Sequence, residues 1–302
     1  MTRRGWALFA GLALLWGIPY LLIRVAVREL SPASLVFLRT AIGTALLLPL
    51  SLLRGNPRAL VARFWPLALF TLLELGIPWL LLSDAERRLT SSLAGLLVAS
   101  VPWVGALVAR LLGGHQPLGG RGLLGLAVGL GGLVALLGLD LGGGDWLTLA
   151  QMGLVVLGYA VGPIVLARRL TDLPPLDVIA GSMLLCCLAY APVGIAQLPP
   201  HLPSPEVLGA VAVLGVVCTA VAFVLFFKLI AEVGPVRATV VAYVNPAVAV
   251  ALGVAVLHEP LTTGMLVGFP LILLGSWLAT GRSPAPVPAP VATRGPGSPA
   301  PG

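Results

Sequence analysis

The sequence predicts an all-α membrane protein, with ten transmembrane helices arranged as two inverted five-helix repeats. Three observations predict it. Of the 302 residues, 58% are apolar and 10% charged, and the mean hydropathy is +1.04. A soluble domain carries about 25% charged residues; this chain cannot cover a water-facing surface and takes lipid as its solvent. Apolar runs of bilayer-crossing length, roughly 17–25 residues, recur ten times. The same small landmarks then return at a constant offset of 143 positions.

The first run, Trp6–Ile23, follows Met1-Thr2-Arg3-Arg4. No small-residue cleavage site follows it and more spans do, so a retained helix is expected rather than a signal peptide. Next come Ser34–Leu53, Phe64–Leu82, Leu89–Leu112 and Leu123–Leu139, the last two parted by Gly113-Gly114-His115-Gln116-Pro117. Gly142-Gly143-Gly144 separates these five from Trp146–Ala167, Val178–Leu198, Val207–Phe227, Val236–Leu257 and Thr262–Thr280. Residues 6–139 thus form a first repeat and 146–280 a second. The tail 282–302, rich in Pro, Ala and Gly, is expected to be disordered.

Charge supports this layout. With the N-terminus in the cytoplasm, inside segments hold thirteen of the basic residues and outside loops four (Arg24, Arg28, Arg87 and Arg88). Cytoplasmic loops carry such an excess, so both termini are expected inside. The net charge of +7 is scattered between apolar runs, which fits topology and gives no sign of a nucleic-acid partner. A single lysine against seventeen arginines fits a GC-rich bacterial genome. Cys186, Cys187 and Cys218 have neither metal nor disulfide spacing and read as small buried hydrophobes.

The offset of 143 joins Pro32 to Pro175, Pro117 to Pro260, Gly125 to Gly268, Gly132 to Gly275 and Gly138 to Gly281. Pro102 matches Pro246 if one residue is inserted, and His115-Gln116-Pro117-Leu118 lies over His258-Glu259-Pro260-Leu261. A shift of five spans, an odd number, turns the second half upside down. Inverted repeats of this kind build secondary transporters whose substrate sits at the midplane between halves.

Leu15-Trp16-Gly17, Arg39, Asn245-Pro246 and His258-Glu259-Pro260-Leu261-Thr262 resemble the EamA-type branch of the drug/metabolite transporter superfamily. Pro78-Trp79-Leu80-Leu81-Leu82, Ala85-Glu86-Arg87 and Thr90-Ser91-Ser92-Leu93-Ala94 add to the likeness. It covers nearly all of residues 6–280. The resemblance implies a ten-helix inner-membrane carrier of small metabolites made of two EamA repeats, and it does not name the solute. Gln116 stands where the second half has Glu259, a departure from the pattern that leaves the first half without that acid.

Two charges fall inside spans, Arg39 and Glu74. A charge at mid-bilayer costs on the order of 3 kcal/mol, so such residues face the bundle interior. They either line a substrate or proton path, with Glu74 titrating to couple transport to a proton gradient, or neutralise each other as a structural pair. Arg39 has a further bland reading, snorkelling to a surface. Glu259 reads as a turn residue whose carboxylate sits beside the N-terminus of the tenth helix, with Pro260 in its first turn.

Pro19, Pro78, Pro102, Pro163, Pro246 and Pro270 interrupt spans, where each removes a backbone hydrogen bond. Matched interruptions in the two halves point to a binding cavity, which singles out Pro102 and Pro246, although prolines are common in membrane helices anyway. Beside these kinks lie Trp16, Tyr20, Trp79, Trp103, Tyr159, Tyr243 and Asn245, aromatic and polar groups suited to gripping a flat or cationic solute. Trp6, Trp65 and Trp146 read as interface anchors. The spacings Gly125-x-x-x-Gly129 and Gly264-x-x-x-Gly268 permit close helix approach, within the chain or in a homodimer, and the intramolecular contact is the simpler reading.

No nucleotide-binding loop, metalloprotease or serine-hydrolase motif and no metal-ligand cluster occurs, so no cofactor or metal is expected. The expected function is secondary active transport of small metabolites, amino acids or related solutes among them, most simply export across the inner membrane by alternating access. Two other classes stand against it. A membrane-embedded lipid-modifying enzyme would have to use the Asp84-Glu86-Arg87 group. A non-transporting scaffold or sensor need not keep polar residues at the midplane.

Overall fold

The computed structural model describes residues 2–111, 120–140, 146–233 and 239–280, and among them every regular element is helical. Helix α1 (Arg3–Ala26) starts at Thr2, whose hydroxyl accepts the Gly5 N–H. Helix α2 (Pro32–Arg54) starts at Ser31 in the same way, with proline in a first-turn position where no N–H is needed. A short α3 (Pro57–Ala62) leads to α4 (Phe64–Thr71), which runs through a widened π turn, Leu72–Gly76, into α5 (Ile77–Ala85). Thr90 caps α6 (Ser91–Val98), and after a break at 99–100 the chain resumes as α7 (Val101–Leu111). The expected fourth span is therefore two helices, because Pro102 can start a helix but cannot continue one.

Helices α8 (Gly120–Asp140), α9 (Trp146–Arg169) and α10 (Pro175–Ala196) follow. Helix α11 (Pro205–Gly215) passes through a second π turn, Val216–Val221, into α12 (Ala222–Val233). A 3-10 segment, Thr239–Tyr243, precedes α13 (Asn245–Leu257), again with proline in the first turn, and α14 (Thr263–Thr280) closes the bundle. Among the described residues seven helical stretches are long and apolar enough to cross a membrane. They are Arg3–Ala26, Pro32–Leu53, Phe64–Ala85, Ser91–Val108, Trp146–Arg169, Pro175–Ala196 and Pro205–Val233. Three shorter apolar helices accompany them: Gly120–Leu136, Val241–Leu257 and Thr263–Ala279. The Gly113–Pro117 and Gly142–Gly144 stretches, Gln116 among them, and the tail 282–302 lie outside the described residues.

Two helix pairs dominate the packing, α8 with α14 and α2 with α10. The first is a glycine seam. The Cα of Gly125 lies against the backbone of Gly275 and Ala279, and that of Gly132 against the backbone of Gly268 and Ile272. Gly275 in turn meets Gly129 backbone to backbone. The Gly125-x-x-x-Gly129 spacing is thus used within the chain, against Gly275 and Ala279, while Gly268 meets Gly132 and Leu136. Without side chains between them the axes close up and gain dispersion contact along their length. The α2–α10 pair is pinned at both ends. Ser34 Oγ donates to the Gly194 carbonyl at 2.7 Å, while Asp177, fully buried, accepts from Ser51 Oγ at 2.6 Å and from the Asn56 N–H at 2.7 Å.

The seam makes a sharp prediction. Gly275→Leu forces atoms into the α8 backbone and is expected to cost about 1–3 kcal/mol or more, the scale of an overpacked core. Gly131→Leu, on the open face of α8 where no described residue lies near, should leave stability unchanged. Thermal unfolding in detergent, followed by light scattering, checks both.

Candidate functional site

Arg39, near the middle of α2, is 7% exposed and does not snorkel. Its Nε donates to Thr219 Oγ1 at 3.0 Å, and its guanidinium carbon lies 3.6 Å from the centre of the Trp79 ring. The remaining guanidinium N–H groups take no partner among the described residues. Around this cation stand Tyr20 of α1 and Tyr159 of α9, both within electrostatic reach of it. Tyr159 also lies beside the Trp79 indole and senses Glu74. The structure therefore brings buried Tyr20, Arg39 and Trp79 and half-buried Glu74 and Tyr159 into one polar group contributed by α1, α2, α5, α9 and the first π turn.

No ion pair joins Arg39 to Glu74 among the described residues. Of the readings of these two charges, the mutually neutralising pair is the one this geometry does not support: Arg39 lies on a ring face and bonds a hydroxyl. Glu74 packs against Gly162 of α9, a position where a Cβ would collide with its carboxylate, and its Oε2 is buried with no hydrogen-bond partner among the described residues.

The π turns explain the grouping. In a regular helix, residues five apart point about 140° away from each other. A π turn absorbs one residue, so Glu74 and Trp79 fall on the same side of their span and both reach Tyr159. The second π turn, Val216–Val221, presents Thr219 to Arg39, with the Thr219 hydroxyl also donating to the Leu214 carbonyl five residues back at 2.8 Å. Tyr190 of α10 braces the first turn by donating to the Gly76 carbonyl at 3.0 Å. Such single wide turns concentrate at functional sites.

The other expected residues lie apart from this group. Trp16 packs on the rings of Phe223 and Phe226 of α12, at 5.9 and 4.9 Å between centres. Trp103 donates its indole N–H to the Leu126 carbonyl at 2.8 Å and covers Gly129, so it binds α7 to α8. Pro102 and the buried Pro246 occupy the first turns of α7 and α13, and Tyr243 ends the 3-10 segment. Asn245, with its carboxamide turned to suit its neighbours, donates to the carbonyls of Ala13 at 3.3 Å and Val241 at 3.0 Å. Asn245 thereby ties α13 to α1, where Gly17 admits Val248.

Sequence reasoning missed Thr219 altogether, and it named Glu86 and Glu259 without finding their surroundings. Thr219 carried no signal beyond a hydroxyl in an apolar run. Glu86 is fully buried at the end of α5, although Trp79 and Glu86, seven apart, share one helix face and offered a clue. Glu259 does cap a helix N-terminus, but that of α6 and not of α14. Its Oε1 accepts the Ser91 N–H at 2.7 Å. Its Oε2 accepts the Ser92 N–H at 2.9 Å, Ser92 Oγ at 2.5 Å and Ser91 Oγ at 3.1 Å. His258 has a left-handed backbone, φ 55°, which turns the chain so that Glu259 faces inward. Thr262 takes over at α14 by accepting the Met265 N–H at 3.2 Å.

Asp84 pairs on the surface with Arg87, Arg88 and Gln151, so it shares no site with the inward Glu86. A cleft of about 460 Å³ opens beside it, lined by Pro32, Leu80, Asp84, Gln151, Tyr190 and Gln197 among others; Arg39 is not in its wall. Outside the membrane-length helices, Arg63 donates to Asp172 at 2.8 Å and holds its carboxyl below the usual carboxylate range.

The model of the EamA-like transporter family matches this chain twice, over residues 3–138 and 146–281. The chain belongs to the EamA-like transporter family. The membership expected from the motifs around Trp16, Arg39, Asn245 and Glu259 is borne out. Its relatives include "Uncharacterized inner membrane transporter YedA" of Escherichia coli strain K12, 32% identical over 303 residues that cover 94% of each protein. The proteins of that name from strains O6:H1 and O157:H7 match equally. A solved structure described as "Crystal structure of protein" superposes with a TM-score of 0.65 at 23% identity, covering 93% of this chain and 97% of the other. At that identity the likeness concerns the fold alone. This EamA member is a multi-helix membrane transporter by family.

Proposed function

We propose that the chain exports small zwitterionic metabolites of the amino-acid class across a bacterial inner membrane by alternating access. The observation that carries this reading is the buried Arg39 group. A guanidinium with free N–H groups takes a carboxylate, the unpartnered Glu74 oxygen takes an ammonium, and Trp79, Tyr20 and Tyr159 supply aromatic walls. A solute carrying both charges satisfies two groups that are otherwise costly to bury. It binds as a transported substrate, with no cofactor or metal.

In this reading all ten apolar helices span the bilayer, residues 6–139 and 146–280 are the inverted repeats, and both termini are cytoplasmic. Residues 86–90, 197–204 and 258–262 then lie on the outer face. The pattern of helix partners supports it. Spans five and ten, two and seven, and four and nine each pair with their own counterpart. The partners of α1 in the second half (α11, α12 and α13) mirror those of α9 in the first (α4, α5 and α7). The π turns, beginning at Leu72 and Val216, recur close to the repeat offset. The printed name of the YedA relatives supports the inner membrane as location.

The test is reconstitution in liposomes with a panel of amino acids, with and without a pH gradient. Accumulation of at least one zwitterionic solute is expected. Folded protein that moves none of them while carrying neutral or purely anionic solutes would sink the substrate class. Glu74→Gln is expected to lower uptake of zwitterions at least tenfold and to spare an analogue without the ammonium. Equal loss for both would assign Glu74 a purely structural part.

A further inference from the structure

Glu86 stands one residue beyond α5, where α1, α5, α6 and the 258–262 turn converge. It is 0% exposed, and among the described residues neither carboxyl oxygen has a hydrogen-bond partner. Arg24 of α1 comes near but donates to the Glu86 backbone carbonyl, leaving the side chain unserved. Glu259 lies within electrostatic reach across the gap, its own oxygens taken by Ser91 and Ser92. From below, Arg39 of α2, Tyr20 of α1 and Tyr159 of α9 feel the same group. Glu86 thus sits between the buried Arg39 group and the Glu259 contact, which joins the 258–262 turn to the start of α6.

An ionised carboxylate removed from water with no donor is too costly to persist; the neutral acid is the form this enclosure accepts. We propose that Glu86 is a proton-binding site, holding its proton while this end of the bundle is closed and releasing it to water when α5 and α6 part from the Glu259 turn. The O–H bond of the acid breaks, the electron pair stays on the carboxylate and the proton leaves as hydronium. Burial pushes the Glu86 carboxyl well above the usual carboxylate range, against the opposing pull of Arg24 and with Glu259 adding to the shift. The closed form binds one more proton than the open form, so rising pH favours opening. Resting on the transport reading above, Glu86 gives its proton to the outer side on opening and takes one back from that side on closing. The pH outside therefore sets how readily the outward-open state forms, and the cycle moves no net proton through Glu86.

Infrared titration of the full-length protein in lipid tests the site without any transport assay. Glu74→Gln protein is expected to keep a protonated-carboxyl stretch at neutral pH, and Glu74→Gln/Glu86→Gln protein to lose it. Absence of the band in the Glu74→Gln protein overturns the proposal, even if the double variant fails to fold. Persistence of the band in a folded double variant overturns it as well.

A second readout follows opening. Ala94→Cys, at a buried position of α6, is placed in a chain whose three native cysteines are alanine. Its labelling by an impermeant maleimide is divided by that of a free thiol at the same pH, which removes the thiol's own ionisation. This ratio should rise about tenfold per pH unit, the slope of a one-proton linkage, and Glu86→Gln should make it small and flat. An unchanged slope in Glu86→Gln overturns the coupling. Should liposomes move no solute at all, the transport reading fails while the infrared band still decides the proton site.

Discussion

Arg39→Ala is expected to reduce transport by about 100-fold, the worth of roughly 1.5–3 kcal/mol for a hydrogen bond to a charged group. It should also lower stability by about 2–4 kcal/mol, because the emptied volume beside Trp79 cannot be filled by neighbours already close-packed. Arg39→Lys keeps the charge yet recovers little of the transport. An ammonium is a hydrated point charge; it cannot lie flat on the Trp79 ring and bond Thr219 at the same time. Trp79→Phe should retain more activity than Trp79→Ala, since the ring face is what Arg39 uses. Initial rates in liposomes with matched protein content check the series. Full transport by Arg39→Ala would remove the guanidinium from the substrate site.

Glu259→Ala has the second large effect. It strips acceptors from two backbone N–H groups and two hydroxyls at the buried start of α6. The hydroxyls can turn back to carbonyls of their own chain; the amides cannot, and each costs about 1–3 kcal/mol when buried unpaired. A loss of about 2–5 kcal/mol is expected, part of it from removing a negative charge beside a helix N-terminus. Glu259→Gln retains one acceptor oxygen and should fall between. Thermal unfolding in detergent checks the order. A Glu259→Ala protein as stable as the native one would mean that water or lipid replaces the contact.

Most of the fold was legible because hydrophobic length alone marks membrane helices. The glycine seam was legible as spacing, though not as to which glycines meet. The site was legible only in part, and the reason is geometric. Helical periodicity assumes one turn size; at Leu72–Gly76 and Val216–Val221 the chain inserts an extra residue, and the face of each span shifts midway. Glu74, Arg39, Trp79 and Tyr159 could be picked out as polar or aromatic groups in apolar runs, but a helical wheel does not place Glu74 and Trp79 together. The breaks at Pro102 and Pro246 were legible too. There Asn245, whose side chain bonds the Val241 carbonyl, makes the break a joint between α1 and α13. Glu259 was read from its immediate neighbours, and its true partners are 167 and 168 residues away, a separation no local rule reaches.

The seam between α8 and α14 also bears on biosynthesis. Ribosomes deliver the amino-terminal half first, so the groove along Gly125, Gly129 and Gly132 stays occupied by acyl chains until residue 280 has been translated. Zippering of that groove is then a late event in maturation. A nascent chain stalled before its last helix would present a sticky stripe of bare backbone to the surrounding membrane, and quality-control proteases there would meet it as an incomplete product.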